Sequence, residues 1–315
     1  MRRAAIIVTI LALLAGCGKG GEPKAGATPS FTPTSEAGGF VRPPALQGEP
    51  CGLEVSESDV WILTCSGTLL RLPKGGAGTE ARHLEGEVLS LDGLVAGRPG
   101  RLWALLSVEA KGVRTGKLVE IDPGSGEPGS PLDVGASVPM SAAQTMNDLW
   151  VAMLDGRFLR IGDGPVHEID RGAPLIWAAS ATSELWTVDE AGDATLRDAT
   201  TGEERSRIAG IVPEAIAVAA AFGALWVATP STLERITPTG QEQPVDVAGT
   251  VNGIEPCGGM VWLSLPDFGV RSVTAQGVVE AEIRLDIAPR YLACDDTTLW
   301  VLSEDGRIGS IRIAS

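Results

Sequence analysis

The sequence contains few of the side chains that most often carry acid–base chemistry. Only two histidines, His83 and His167, and one tyrosine, Tyr291, occur in 315 residues. General acid–base catalysis favours histidine, so this composition weighs against a lyase or hydrolase. The HExxH, GxSxG, P-loop, EF-hand and CxxC motifs are also missing. We therefore expect no catalytic residues, no metal site and no cofactor.

Basic side chains are scarce relative to acidic ones. Lys and Arg total 25 against 40 Asp and Glu, which gives a formal net charge of −15. Such a surface repels phosphate backbones, so we expect no nucleic-acid partner, and a cationic or neutral partner is easier to accommodate. Hydrophobic residues nevertheless make up 44% of the chain, enough for a sizeable core and too many for a disordered protein.

The chain lacks a hydrophobic run long enough to span a membrane comfortably. Its most apolar stretch lies in MRRAAIIVTILALLAGC, a basic start followed by an apolar run that is typical of an export signal over residues 1–16. The end of this stretch, Leu14 to Cys17, resembles the lipobox of bacterial lipoproteins. The resemblance implies a diacylglyceryl group on the Cys17 thiol, cleavage before Cys17, and acyl chains such as palmitate that hold the protein on a membrane. An ordinary signal peptide with a chance cysteine is the alternative.

The segment after the signal is rich in Gly, Pro, Ser and Thr. We therefore expect residues 17–38 to be the lipidated cysteine and a flexible linker that buries no core. An extracytoplasmic site, on the cell surface or in the periplasm, follows from the export signal.

The remainder of the chain, 39–315, carries a repeat centred on tryptophan. The strands VWI, LWA, LWV, LWT, LWV, VWL and LWV recur at intervals of 36 to 47 residues. An Ala-rich strand precedes each tryptophan, and a turn, a strand such as LERI and a second turn follow it. A repeat of about 40 residues with four short strands predicts a β-propeller. The seven tryptophans are Trp61, Trp103, Trp150, Trp186, Trp226, Trp262 and Trp300.

The sequence also predicts how the ring closes. We name the four strands of each blade A to D from the centre outward. The last unit ends after strand C, whereas GFVRPPALQ at residues 39–47 occupies the place of a D strand before the first unit. We therefore expect an all-β, seven-bladed propeller of four-stranded antiparallel blades, in which residues 39–47 complete the last blade and remove the open sheet edge.

This pattern of Trp strand, Gly turn, LxRI and TG turn resembles the virginiamycin B lyase-like and YVTN-repeat propellers. The resemblance implies the fold over residues 40–315 but little about activity. The lyases use a histidine base and acidic residues associated with a metal. Here His83 and His167 fall on predicted outer D strands, away from the channel mouth, so no catalytic position is carried over.

Four cysteines remain in the exported domain: Cys51, Cys65, Cys257 and Cys294. An even number in an exported protein favours two disulfides, with buried free thiols as the alternative. Cys51 begins strand A of blade 1 and Cys65 ends its strand B, while the other two lie late in the A strands of blades 6 and 7. We therefore predict Cys51–Cys65 and Cys257–Cys294.

One face of the propeller collects the D–A loops and the B–C turns, and we call it the loop face. Propellers commonly bind partners there. The long B–C hairpin SVEAKGVRTGK indicates a functional insertion, and tolerated sequence drift is the alternative. Phe268 lies at the tip of another B–C turn, where an interface would use an aromatic anchor. Folding of Phe268 onto a neighbouring loop is the alternative. The predicted partner-binding residues are Lys111, Arg114, Arg157, Glu214, Asn252, Asp267, Phe268, Arg290, Asp305 and Arg307.

The sequence thus favours a lipid-anchored binding or scaffold module at a bacterial envelope, contacting the membrane through its lipid and a protein or small molecule through the loop face. The propeller subunit of the outer-membrane barrel-assembly machinery offers an analogy at the level of the fold. The alternative is a lyase or hydrolase acting on a small molecule at the channel mouth, with carboxylates and Tyr291 in place of histidine.

The acidic turns at Asp189–Asp193 and Asp295–Asp296 could hold Ca²⁺, but solvated surface turns are the simpler interpretation.

Overall fold

The computed structural model describes residues 39–74, 78–96, 101–181, 184–210, 214–230, 232–295 and 297–313. These residues form 27 β-strands and no helix. They therefore contain no helix that could cross a membrane. Cys17 and the whole predicted signal and linker lie outside the described residues.

The strands form seven antiparallel sheets, and in each sheet the order along the chain is the order in space. The innermost A strands contact one another in sequence around the ring, and the last contacts the first. The predicted seven-bladed propeller is therefore confirmed. The A strands are β1 (Pro50–Val55), β5 (Leu94–Ala96), β9 (Pro139–Gln144), β13 (Leu175–Ala181), β17 (Ala217–Ala221), β21 (Gly253–Cys257) and β25 (Pro289–Asp295).

The B strands come next in each blade. They are β2 (Asp59–Thr64), β6 (Leu102–Ala110), β10 (Leu149–Met153), β14 (Glu184–Asp189), β18 (Ala224–Ala228), β22 (Met260–Leu265) and β26 (Thr298–Ser303). The C strands are β3 (Thr68–Pro73), β7 (Val113–Ile121), β11 (Arg157–Ile161), β15 (Ala194–Asp198), β19 (Leu233–Ile236), β23 (Gly269–Val273) and β27 (Ile308–Arg312). The D strands are β4 (Glu80–His83), β8 (Leu132–Gly135), β12 (His167–Arg171), β16 (Glu204–Ile208), β20 (Glu242–Val245) and β24 (Val279–Arg284). Both histidines therefore lie on outer strands and are exposed, as predicted.

The tryptophans occupy the packing layers between blades. Five of the seven repeat tryptophans are no more than 1% exposed, and Trp103 is 6% exposed. In blade 1 the cross-strand partner of Trp61 on β3 is Arg71, whose guanidinium carbon lies 5.6 Å from the ring centroid. The same pairing joins Trp150 to Arg160 and Trp226 to Arg235. The arginine at this position thus lies over the ring of a tryptophan that is otherwise enclosed by apolar side chains.

The glycine of the TG turn has a packing reason. Gly202, in the turn between β15 and β16, has φ +76°, and a Cβ there would approach the ring of Trp150 to 2.6 Å. A left-handed residue without a side chain is therefore needed where one blade covers the tryptophan of its neighbour.

The ring closes through the N-terminal segment. Val41 and Ile308 exchange two backbone hydrogen bonds of 3.0 and 2.9 Å, and Leu46, 3% exposed, packs between blades 7 and 1. The pairing is a single bridge rather than a strand over residues 39–47. Pro43 and Pro44 follow directly, and a residue without an N–H cannot extend the ladder.

Both predicted disulfides are present. Cys51–Cys65 links the start of β1 to the residue after β2, with a Cα–Cα distance of 5.0 Å. Cys257–Cys294 links β21 to β25, the innermost strands of blades 6 and 7, at 5.8 Å. The first bond lies within one blade and the second joins two.

Candidate functional site

The long hairpin of blade 2 is present on the loop face and its charges are largely paired. Lys111 is exposed at the tip, with φ +54°. Arg114 bonds to Glu87 at 3.2 Å and to Glu109 at 3.1 Å, and Lys117 bonds to Asp133 at 3.0 Å. Carboxylates therefore pair with Arg114 and Lys117, whereas Lys111 lies exposed at the tip of the hairpin.

The two DGR turns of the loop face have a structural role. In each turn the arginine Nε donates to the aspartate two residues earlier, at 2.8 Å for Arg157–Asp155 and for Arg307–Asp305. Each arginine also reaches a carbonyl of the preceding blade: Arg157 bonds to Val134 O at 2.7 Å and Arg307 to Asp286 O at 3.3 Å. These arginines hold neighbouring blades together.

Phe268 is half-buried rather than free at its turn tip. Its ring packs against the apolar layer between blades 5 and 6. The guanidinium carbons of Arg271 and Arg284 lie 4.4 and 4.9 Å from the ring centroid. Neighbouring Asp267 is exposed. The ring is thus covered by guanidinium groups of the protein itself.

Only two of the predicted binding residues meet at the channel mouth on the loop face. Asn252 and Arg290 line a cavity of about 150 Å³ there, together with Asp92 and Trp177. Arg290 bonds to Glu49 at 2.9 Å and its guanidinium carbon lies 5.2 Å from the ring of Tyr291. Glu214 is exposed on the same face with φ +76°. The remaining predicted residues are spread around the rim.

Below this mouth an axial cavity of about 450 Å³ runs between the A strands. The carboxyl and phenol groups of its wall come from blades 6, 7, 1 and 2, which also contribute apolar side chains, whereas blades 3 to 5 contribute mostly small apolar side chains. The polar groups are Glu255, Tyr291, Glu54 and Asp92; the facing residues are Ala142, Ala143, Gln144, Ala178, Ala179, Ser180, Val218, Ala219 and Ala220.

The carboxyl groups of the cavity have strongly altered acidity. Burial raises the pKa of Glu54 to about 7, although backbone hydrogen bonds from Ala96 and Val55 lower it in part. Burial also raises the pKa of Asp92 to about 7. For Glu255, burial and then the charges of Glu54 and Asp92 raise the pKa well above its ordinary value. Glu54 and Asp92 therefore exchange protons near neutral pH, whereas Glu255 holds its proton well above the ordinary range of a glutamate.

Tyr291 belongs to the same polar wall. Burial raises its pKa to about 12, in opposition to the nearby Arg290 charge. The phenol is therefore neutral at physiological pH and offers the cavity an O–H group.

The channel carboxylates are not among the residues predicted from the sequence, although a signal for two of them was present. On each blade the A-strand residue opposite the tryptophan lies at one level of the ring. Glu54 and Glu255 occupy this position opposite Trp61 and Trp262. In the other five blades the position holds a small apolar residue: Val95, Ala143, Ala179, Ala219 and Ala293. Aligning the repeats on this position would have revealed the two exceptions.

The described residues contain no group of three His, Cys, Asp or Glu side chains placed to hold a metal ion. The channel carboxylates are thus close enough to influence one another's ionisation but are not arranged as one coordination sphere.

No protein-family model and no curated protein sequence matches the chain. Solved structures do resemble it. Virginiamycin B lyase from Staphylococcus aureus, crystallised with quinupristin, is 17% identical with a TM-score of 0.70, and the match covers 88% of this chain and 99% of that one. The WD40 β-propeller domain of Doa1 is 13% identical with a TM-score of 0.69, covering 90% and 100%. BamB from Moraxella catarrhalis is 14% identical with a TM-score of 0.58, covering 84% and 85%. At these identities the likeness is one of fold, and it identifies the chain as a seven-bladed β-propeller.

Proposed function

We propose that this protein is a lipid-anchored, extracytoplasmic propeller that acts as a binding or scaffold module at a bacterial cell envelope. The observation that carries the proposal is a closed ring held together at many points, with one irregular blade. The Val41–Ile308 bridge, the Cys257–Cys294 disulfide and the DGR arginines all join neighbouring parts of the ring. Such a rigid frame presents its loops in fixed positions.

The loop face is the proposed partner-binding surface. Among the described residues its longest B–C hairpin is that of blade 2, where β6 and β7 each run nine residues and place Lys111 at the tip. Asp267 and Glu214 add exposed charge elsewhere on the face. Irregular insertions in one repeat are typical of binding faces in repeat proteins.

The location rests on sequence and on the cysteines. The Leu14–Cys17 stretch supports cleavage and lipidation at Cys17. The two disulfides support an oxidising compartment, because cytosolic thiols are kept reduced. Residues 17–38 then act as the tether and residues 39–315 as the propeller.

The test is cross-linking in intact membranes with a photoreactive residue in place of Lys111. A protein captured at this position, and not from an exposed outer-strand position such as His167, supports the scaffold. Equal capture from both positions, or none from either, contradicts a partner on the loop face.

The channel acids favour one second candidate, an enzyme acting on a small molecule at the channel mouth. Carboxyl groups that titrate near neutrality suit general acid–base catalysis. Under this hypothesis Asp92→Asn abolishes turnover of a substrate while leaving cross-linking at Lys111 unchanged.

A further inference from the structure

We propose that the propeller lies on the membrane with the end opposite the loop face toward the lipid, and that Phe222 and Met146 insert among zwitterionic lipids there. We call this end the turn face, because it collects the A–B and C–D turns. The inference rests on the lipid anchor of the proposed function and adds the protein surface that meets the membrane. It leaves the loop face free for a partner.

The first observation is an exposed aromatic ring in an unfavourable backbone conformation. Phe222 and Gly223 form the two-residue A–B turn of blade 5, with φ +53° and +68°, and Phe222 is 41% exposed. A left-handed conformation costs a residue with a Cβ roughly 1–2 kcal/mol, and such turns favour Asn-Gly or Gly-Gly. Blade 6 has Gly258 and Gly259 in the same turn, with φ +58° and +78°. The turn therefore does not need an aromatic residue in order to fold, and the geometry indicates a role for the ring outside the domain.

The second observation is that further apolar groups lie on the turn face. Met146, in the A–B turn of blade 3, is 71% exposed, the largest value among the large hydrophobic side chains of the described residues. Val278, in the C–D turn of blade 6, is also exposed. Beside Phe222 lies an open hollow of about 480 Å³, lined mainly by alanines and Pro256, with Glu184 as the one charged side chain among the described lining residues. Apolar side chains of this kind suit the boundary between lipid headgroups and acyl chains.

The start of the described chain determines which face meets the membrane, since apolar side chains are exposed on the loop face as well. Val41 pairs antiparallel with Ile308, the first residue of β27. β27 begins at the loop face and ends at the turn face, where Ile313 N–H donates to Thr297 O in the A–B turn of blade 7 at 2.8 Å. The backbone from Val41 back to Gly39 therefore leads toward the turn face.

The position of Phe40 supports this direction. Its ring lies over Gly309, the second residue of β27, where a Cβ would approach the ring to 2.6 Å. The predicted linker joins this point to Cys17, and a Gly-rich chain of its length has a root-mean-square span of about 25 Å. An anchor at Cys17 thus holds the turn face near the lipid.

The charges of the A–B turns are compatible with this orientation. A net charge of −15 disfavours contact with an anionic membrane. On the turn face, however, Asp148 is paired with Arg160 at 2.9 Å and Asp295 with Lys74 at 2.6 Å. These ion pairs reduce the local negative charge, so the contact suits zwitterionic lipids and depends on apolar burial.

The test uses the lipidated protein in phosphatidylcholine vesicles, with benzoylphenylalanine in place of Phe222. The matched control carries the same photoreactive residue in place of Leu154, which is 43% exposed at a B–C turn of the loop face. On illumination we expect covalent lipid adducts at position 222 in about tenfold excess over position 154, because only the turn face reaches the boundary of the acyl chains. Added salt should leave this ratio unchanged.

Phe222→Gly distinguishes membrane contact from packing within the fold. Glycine relieves the left-handed strain, so the melting temperature of the variant should stay within about 2 °C of the wild type. A larger fall would assign the ring to packing and overturn the proposal.

The other outcomes separate this proposal from the anchor. Equal lipid capture at positions 222 and 154 would refute the orientation, and a covalent dimer in place of a lipid adduct would assign Phe222 to an interface between copies. A protein that floats with the vesicles but captures no lipid at position 222 contradicts this proposal alone. A protein that stays out of the vesicle fraction contradicts the lipid anchor as well.

Discussion

Cys257 and Cys294 form a disulfide between the innermost strands of two neighbouring blades, with their Cα atoms 5.8 Å apart. Glu255 lies two residues before Cys257 and accepts a hydrogen bond from the backbone of Cys294. The covalent link between blades 6 and 7 therefore also fixes the position of a channel carboxylate.

Removing either disulfide should lower stability, and the inter-blade bond should matter more. In the chain-entropy description, the 37-residue loop closed by Cys257–Cys294 contributes about 4 kcal/mol and the 14-residue loop of Cys51–Cys65 about 3 kcal/mol. Paired Cys→Ala variants followed by chemical denaturation would measure both values. Peptide mapping without reduction checks the connectivity, and a Cys51–Cys294 peptide would refute it.

Two truncations of the N-terminus should distinguish the contribution of the tether to thermal stability from that of the segment that closes the ring. Deleting residues 18–35 should leave thermal unfolding nearly unchanged. Extending the deletion to residue 47 removes the Val41–Ile308 bridge and the buried Leu46. We expect the melting temperature to fall by roughly 5 to 10 °C, because several kcal/mol of burial and pairing are lost. Equal melting of the two truncations would show that closure contributes nothing.

The channel acids predict that stability falls as pH rises toward neutrality. The folded-state pKa values of Glu54 and Asp92, about 7, lie above their ordinary values of 4.5 and 3.8. Between about pH 4 and 7 the folded state thus binds more protons than the unfolded state, so the free energy of unfolding decreases with rising pH in this window. Asp198, whose pKa is lowered to about 2 by backbone hydrogen bonds from Thr201 and Thr200, acts in the opposite sense below pH 4.

Calorimetry from pH 4 to 8 measures this dependence. In Glu54→Gln/Glu255→Gln the decline should be shallower than in the wild type, since two of the titrating groups are gone. Glu57→Gln, which changes an exposed side chain of the same blade, should keep the wild-type slope. Identical slopes in all three proteins would place the channel carboxylates in an ordinary aqueous environment.

Cys17→Ser tests the anchor. The substitution removes the thiol that the Leu14–Cys17 stretch marks for lipidation, so the protein should leave the membrane fraction or accumulate as an unprocessed precursor. Fractionation and gel migration measure both effects. A variant that fractionates and migrates like the wild type would show that the signal is not a lipoprotein signal.

Phe268→Ser distinguishes a packed ring from a binding anchor. Because the ring is half-buried between Arg271 and Arg284, we expect the free energy of unfolding to fall by about 1 to 2 kcal/mol. Cross-linking at Lys111 should then be repeated on the folded variant at a temperature well below its melting point. Reduced partner recovery supports an additional anchoring role, and unchanged recovery removes Phe268 from the binding surface.

The sequence by itself determined the seven blades, the strand order within each, and the pairing of the cysteines. A blade is a meander of strands that are neighbours in the chain, so turn residues and the tryptophan spacing define it locally. Ring closure by the N-terminal segment was predicted as well, although Pro43 and Pro44 shorten the predicted pairing to a bridge at Val41.

Only the tertiary structure decided the chemistry of the site. Glu54 and Glu255 are about two hundred residues apart in sequence and share a cavity because blades 1 and 6 face the same axis. Whether a loop side chain is available to a partner also depends on its neighbours: Arg114 is paired with Glu87 of another loop, and Phe268 is covered by Arg284 of β24. Burial and electrostatic coupling are properties of atoms brought together from distant repeats, and a periodic pattern within each repeat does not contain them.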